Sequence, residues 1–397
     1  MQDRIYLDYA ATTPVAEEVL AAMLPYFRER PGNAHSRSHA AGWTAAQAVD
    51  RARGQLAALL SCDREELTFT SGSTEAIYLA LLGVARRYAS RGRHVVTTAT
   101  EHSAVLAACG VLEAEGFEVT YVAPDARGLV APEAVAAVLR EDTTLCAVLW
   151  GNNETGVLQD MHAISASCRA RDVLLFADAT QVVGKVPCHP RTSGVDLLAV
   201  SAHKFYGPKG VGALYVRGEG TRVALSALIS GGGQESGLRG GTLNVPGIVG
   251  LGAAAVLAEA EMERQAARLR ALRDGLEDAL TTTLPQVIVN GAGAPRLPHI
   301  ANLSFRFTEA EALLSKLQRR LSVSTGSACS SADLEPSHVL TAMGLDREDA
   351  RAAVRISLGR DTTADEVDTA VRLLTTAVPK LRAESPLWEL YEAGVLA

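Results

Sequence analysis

The sequence predicts an α/β fold: a mainly parallel, seven-stranded sheet followed by a smaller α+β unit. Two observations carry this. From about residue 44 to 260, Ala-rich amphipathic stretches alternate with short β-branched or apolar runs. Beyond that, a long polar stretch leads into a second, shorter set of strand-like and helix-like segments. Strand followed by helix, repeated, implies βαβ crossovers and a parallel sheet.

The helical stretches of the first part are Trp43–Leu60, Ile77–Tyr88, Ala104–Glu115 and Glu133–Arg140. The strand runs are Leu67–Phe69, His94–Thr98, Val119–Val122, Leu145–Trp150, Val173–Ala177, Leu197–Val200 and Gly212–Val216. A connector helix is expected over about Leu257–Thr281. After it, Val287–Val289, Ile300–Phe305 and Val354–Ser357 read as strands, and Ala310–Arg320 and Ala364–Arg382 as helices. The expected division is a large domain over residues 15–260, with residues 1–14 and 261–397 forming a small domain. No internal repeat or low-complexity linker interrupts the chain.

The 397 residues are 48% hydrophobic and 21% charged, enough to build a sizeable core. The net charge of −7 argues against a chain-wide grip on nucleic acid, so no direct nucleic-acid contact is expected. The most apolar stretch, Thr242–Ala258, is interrupted by Asn244, Pro246 and several glycines, and no membrane span is expected there. The residues Met1–Ile5 lack the basic patch and apolar run of a signal peptide. Cys62, Cys109, Cys146, Cys168, Cys188 and Cys329 include no C-x-x-C pair, so neither a disulfide framework nor a Cys-rich zinc site is expected. A cytoplasmic protein fits that cysteine usage.

Open parallel sheets bind ligands outside the carboxyl ends of their strands. Five strand ends here are followed by polar residues: Thr70-Ser71-Gly72-Ser73-Thr74-Glu75, Glu101-His102, Asn152-Asn153-Glu154, Asp178, and Ser201-Ala202-His203-Lys204. The first places backbone N–H groups and hydroxyls at a helix start. This suits a phosphate, although Ser71 or Ser73 could equally serve as an ordinary helix cap. Asp178 ends an apolar strand and needs a cationic or protonated partner. Lys204 stands among small residues, where desolvation can free its amine for imine chemistry. A phosphate cradle, a buried carboxylate and a lysine after successive strands are what pyridoxal 5′-phosphate requires. No G-x-G-x-x-G follows the first strand, which sets a dinucleotide aside. The small, polar run Ser322–Ala332 reads as a mobile exposed loop that could carry Cys329 either as a reactive thiol or as an inert surface one. Arg355, inside an apolar strand pattern, wants a carboxylate, structural or from a substrate.

These residues sit in motifs that run nearly end to end: Tyr-Leu-Asp-Tyr-Ala-Ala-Thr-Thr-Pro (6–14), Phe-Thr-Ser-Gly-Ser-Thr-Glu (69–75), Thr-Glu-His (100–102) and Asn-Asn-Glu-Thr-Gly (152–156). Further on come Asp-Ala-Thr-Gln (178–181), Ser-Ala-His-Lys (201–204), Gly-Thr-Leu (241–243), Gly-Ser-Ala-Cys (326–329) and Leu-Glu-Pro-Ser-His-Val-Leu (334–340). In them the chain resembles the cysteine desulfurases of the iron–sulfur-assembly and nitrogen-fixation type, fold-type I pyridoxal-phosphate enzymes of the class-V aminotransferase family. The resemblance implies a homodimer that converts L-cysteine to L-alanine. Sulfur would pass as a persulfide on Cys329 to an acceptor protein. It implies that Lys204 holds the cofactor and moves the Cα proton, that Asp178 pairs with the ring nitrogen, and that Gln181 hydrogen-bonds the ring hydroxyl. His102 would stack on the ring and assist proton transfers. Ser73, Thr74, Ser201 and His203 would hold the phosphate, joined by Thr242 from the neighbouring subunit. Asn153 and Arg355 would bind the substrate carboxylate. The large domain would then bind the cofactor, and the small one would carry the cysteine loop, residues 322–334.

Some positions depart from the family pattern: Ala34-His35 after Asn33, Ser236 in place of an arginine, Gly240 in place of a serine, and Asp333 near the cysteine. The sequence ends at Ala397 without the longer tail that helps relatives dock a scaffold protein, which leaves the acceptor open. None of these removes an implied catalytic group. Two other readings stay open: a related pyridoxal-phosphate enzyme, such as a selenocysteine lyase, for which Cys329 is dispensable, and a non-enzymatic assembly partner.

Overall fold

The computed structural model describes residues 4–218, 220, 223–325 and 335–396. Cys329 and Asp333 lie outside the described residues. The strands are β1 (Ile5–Tyr6), β2 (Leu67–Thr70), β3 (His94–Thr98), β4 (Glu118–Val122), β5 (Thr143–Leu149), β6 (Leu174–Asp178), β7 (Leu197–Ser201), β8 (Gly212–Val216), β9 (Val287–Val289), β10 (Ile300–Phe305), β11 (Leu321–Ser322) and β12 (Ala353–Ser357).

Seven of them form one sheet in the order β2-β8-β7-β6-β5-β3-β4. All neighbours are parallel except β8, which runs antiparallel to both β2 and β7. The expected mainly parallel seven-stranded sheet is thus present. The interior strand β5 is buried along its whole length, because helices cover both faces of the sheet. Helices Ser73–Arg87 and Ser103–Ala114 pack on one face, through Ile77, Leu81, Val105 and Leu112. Ala40–Leu60, Met161–Ala170 and the first part of Val245–Thr283 pack on the other, through Val49, Leu56, Ile164, Ile248 and Leu251.

The connector differs from expectation. Helix Val245–Thr283 is continuous and begins twelve residues earlier than the polar pattern suggested. The Asn244 side chain accepts from the Gly247 N–H as its cap, and Pro246 falls in the first turn, where its missing N–H costs nothing. Nor do the glycines break the helix. A Cβ on Gly252 would lie 2.6 Å from the Ala52 Cα, so this glycine lets two helices approach closely. Among the described residues this is the one helix long and apolar enough to cross a membrane, and half of its apolar window is buried inside the protein.

The rest of the same helix, through Leu269, Leu276 and Leu280, enters a second core. That core sits on the antiparallel sheet β12-β10-β9 and helices Ala310–Leu317 and Ala364–Arg382. Leu7 is buried in it, and β1 pairs parallel with β11. From there residues 8–13 run back across the carboxyl ends of β6 and β7, as their hydrogen bonds below describe.

Candidate active site

Four parallel strands of the large sheet, β3, β5, β6 and β7, end at one edge, joined by the turn after β2. That turn is capped by Gly72, whose φ of +156° and ψ of −179° no side chain adopts readily. The helix Ser73–Arg87 has no side-chain cap, so the Ser71 or Ser73 cap that the sequence allowed is not formed. Ser73 and Thr74 occupy its first two positions. A Cβ on Gly72 would lie 3.9 Å from the Ser201 hydroxyl, and one on Gly212 would lie 2.8 Å from the Gly72 backbone. The glycines thus bring the helix start and the end of β7 together around Ser201. Glu75 braces the turn: it accepts from the Ser71 N–H at 2.8 Å and pairs with Arg239 at 2.8 Å. Burial raises the Glu75 carboxyl pKa, but the bonds from Arg239 and Ser71 outweigh it and hold it below the ordinary value. Arg239 leads into the loop that carries Thr242, which is exposed.

At the end of β7, the Lys204 amine donates to the Ala10 and Ala11 carbonyls at 2.8 and 2.9 Å. His203 contacts the Thr12 hydroxyl through Nδ1 at 3.1 Å, and its carbonyl accepts from the Thr13 N–H and hydroxyl. Burial and the nearby Lys204 and Lys209 push the His203 pKa down to about 4, so its ring is neutral at pH 7. At the end of β6, Asp178 is 2% exposed and accepts from the Thr180 N–H at 3.0 Å and from the Thr180 hydroxyl. Gln181 donates to the Ala10 carbonyl at 2.8 Å, the same oxygen that Lys204 uses.

After β3, His102 caps the next helix, its Nδ1 accepting from the Ala104 N–H at 3.1 Å. The proton of the neutral ring is therefore on Nε2. Its neighbour Glu101 is fully buried, with one oxygen accepting from the Thr98 hydroxyl and the Leu149 N–H, both at 2.7 Å. The other oxygen has no partner. Burial pushes this carboxyl up from 4.5 to about 8. Between those values the folded protein keeps a proton that the unfolded chain releases, so stability falls as pH rises from 4.5 to 8. Glu101→Gln mimics the protonated acid. Chemical denaturation should find the variant more stable than the native protein at pH 9, with that margin gone at pH 4. An unchanged margin would show that Glu101 ionises normally.

After β5, the Asn152 side chain accepts from the N–H groups of Glu154 and Thr155, both at 2.9 Å, and shapes the loop. The Asn153 carbonyl accepts from Arg355 Nη1 at 2.9 Å. Arg355, on β12 and 5% exposed, also pairs with Asp8 at 2.9 Å through Nη2, while its Nε has no partner. Its structural carboxylate is therefore Asp8, and one buried donor remains. Asn153 and Arg355 are brought together, as are Lys204, Gln181 and His203 around residues 10–13. The acceptors Asp8, Ala10 and Ala11 were not singled out from sequence, although they lie inside the quoted 6–14 motif. The five described cysteines are unpaired, and all but Cys62 are buried.

Over residues 5–370 the chain matches the aminotransferase class-V family. It belongs to that family. A cysteine desulfurase IscS of Shewanella loihica is 49% identical over 393 residues, which cover 98% of this chain and 96% of the relative. Among solved structures, a NifS-like protein superposes with a TM-score of 0.88 at 36% identity, covering 95% of this chain and 100% of that one. A structure titled SspA in complex with cysteine gives 0.78 at 35% identity, covering 89% and 98%. The fold is therefore that of the fold-type I pyridoxal-phosphate enzymes, and pyridoxal 5′-phosphate is the class-V cofactor. The residues present fit it: a glycine cradle beside Ser201, a buried carboxylate on β6 and an amine at the end of the adjacent β7.

Proposed function

We propose that this class-V enzyme is a cysteine desulfurase, which takes sulfur from L-cysteine onto Cys329, releases L-alanine and passes the sulfur to an acceptor protein. The observation that carries the reading is the meeting of Lys204 and Gln181 on one carbonyl, at strand ends that also deliver Asp178.

When bound, pyridoxal phosphate supplies the electron sink that loosens the substrate's Cα–H and Cβ–S bonds. The Asp178 carboxylate, removed from water and oriented by Thr180, favours a protonated ring nitrogen. Gln181 would hydrogen-bond the ring hydroxyl, and His102 would cover the ring and carry a proton at Nε2. Ser73, Thr74, Ser201 and neutral His203 donate to the phosphate. Lys204 holds the cofactor and moves the proton at Cα. Arg355 and Asn153 take the substrate carboxylate, with Asp8 fixing the guanidinium plane. The Cys329 thiolate attacks the substrate sulfur: an S–S bond forms, the Cβ–S bond breaks, and its electron pair ends as a C–H bond of alanine.

The working unit is a homodimer. Leu20, Leu24 and Phe27, spaced i, i+4, i+7, are 46, 57 and 63% exposed, and Trp43 and Val256 on packed neighbouring helices are 55 and 45% exposed. An apolar surface of that kind marks an interface, and the exposed Thr242 would complete the partner's phosphate site. The acceptor is a scaffold or sulfur-carrier protein, with iron–sulfur assembly as the leading destination. The unpaired thiols suit the cytoplasm.

The test is direct. Purified holoprotein should show the cofactor's visible band, change it on addition of L-cysteine, and release alanine and, with a reductant, sulfide in equal amounts. A band with no alanine from L-cysteine would overturn the reading.

A further inference from the structure

The motif Leu334–Leu340 has no part in the chemistry above, yet its described end is tied tightly to the site. Ser337 is 4% exposed, and its hydroxyl donates to Glu154 Oε2 at 2.6 Å; Glu154 is 3% exposed. The next residue, His338, meets the Glu101 carbonyl through Nε2 at 2.9 Å. Both acceptors lie on strand-end loops of the active site: Glu154 follows Asn153, and Glu101 precedes His102. On the other side of the cysteine, Ser324 exchanges backbone hydrogen bonds with Arg355 at 2.7 and 3.2 Å. Its hydroxyl donates to Asp8 at 3.1 Å, the carboxylate that pairs with Arg355.

The described residues on either side of Cys329, Ser324 before it and Ser337 and His338 after it, are therefore bonded to the loops and strand that carry Asn153, His102 and Arg355. Cys329 is five residues from Ser324 and eight from Ser337. At about 3.5 Å per residue its reach is at most about 18 Å from the first and about 28 Å from the second. Where the second end is fixed thus limits where the thiol can go. A buried carboxylate is costly unless it is hydrogen-bonded, and an apolar pair could fill the same space more cheaply. Keeping Glu154 there calls for a return other than stability.

We propose that Glu154 is a positioning residue for sulfur transfer: through Ser337 it fixes the C-terminal end of the cysteine-bearing segment to the loop that holds the substrate carboxylate. This rests on the desulfurase reading above. Glu154 acts through Ser337. It sets the distance between the bound sulfur and the incoming thiol.

The experiment compares holoenzyme carrying Ser337→Ala, Glu154→Ala, both together, and Glu154→Gln, whose amide oxygen still accepts from Ser337. Three quantities are read: the L-cysteine concentration that half-saturates the cofactor's spectral change, the rate of alanine release, and the rate at which iodoacetamide alkylates Cys329, followed by mass spectrometry. Either alanine variant should lower alanine release about tenfold or more, the scale of an ångström-sized misplacement, while half-saturation stays within about twofold. The double variant should cost no more than Ser337→Ala alone, which removes the bond to Glu154 and also the helix cap to the Leu340 N–H. Glu154→Gln should restore most of the rate. Alkylation of Cys329 should be faster in the alanine variants than in the native protein. Native alanine release in Ser337→Ala, additive losses, or an equal loss of L-cysteine binding would each overturn the proposal. Should the native protein itself release no alanine, the desulfurase reading falls, and the alkylation comparison alone decides whether Glu154 holds the segment.

Discussion

Replacing Cys329 by alanine is expected to stop alanine release from L-cysteine while the cofactor band and its response to the substrate remain. The loss should be roughly a thousandfold or more, the usual scale for removing a nucleophile. The other described thiols are poor substitutes, and Cys168 is 1% exposed. Burial pushes the Cys62 and Cys109 thiols up to about 12, and Cys188 is raised by burial as well. Cys146 is raised by its hydrogen bond with Cys168 and by burial. A thiol held that far above pH 7 supplies almost no thiolate. Measuring alanine together with persulfide on the protein decides the point. Undiminished turnover in the variant would move the chain to the selenocysteine-lyase type of chemistry, in which the thiol is dispensable.

Lys204→Ala should act earlier. Its amine donates to the Ala10 and Ala11 carbonyls, which hold it at the end of β7. In the variant the cofactor loses its covalent attachment and the Cα proton loses its carrier. The visible band should shift or wash out on gel filtration, and turnover should fall about 10²- to 10⁴-fold from the lost proton transfer alone. An added primary amine should recover part of that rate. A variant that keeps both the native band and native turnover would remove Lys204 from the chemistry.

Much of this was readable from residues alone, for identifiable reasons. Strands buried on both faces, such as β5, are continuous apolar runs, and the polar residues after them stand out by contrast. Asp178 and Lys204 were visible for that reason. The direction of β8 was not, because an apolar run has no polarity and its antiparallel course follows from the tight Gly207–Gly212 return. Helix Val245–Thr283 was read short at its start, since Pro246 and the glycines look like breakers until the cap and the facing helix are known. Short helices such as His338–Ala342 and Arg347–Arg351 span too few turns to show a period. The acceptors for Gln181 and Lys204 lie 171 and 194 residues away in sequence, a distance that no local pattern spans.

The path of residues 7–13 also bears on how the enzyme is made. The Leu7 carbonyl accepts from the Ser357 N–H, 350 residues on, and Ala10 donates to the Ser357 hydroxyl. Asp8 waits for Arg355, and β1 for β11. During synthesis at about 5–20 residues per second, residues 7–13 therefore go tens of seconds without the partners that hold them. The large sheet can form meanwhile, but the amine of Lys204 gains its two carbonyls only once this strand is laid down. Nascent chains halted before residue 355 should accordingly fold their sheet and bind the cofactor weakly, the site assembling only after residues 355–357 have been made.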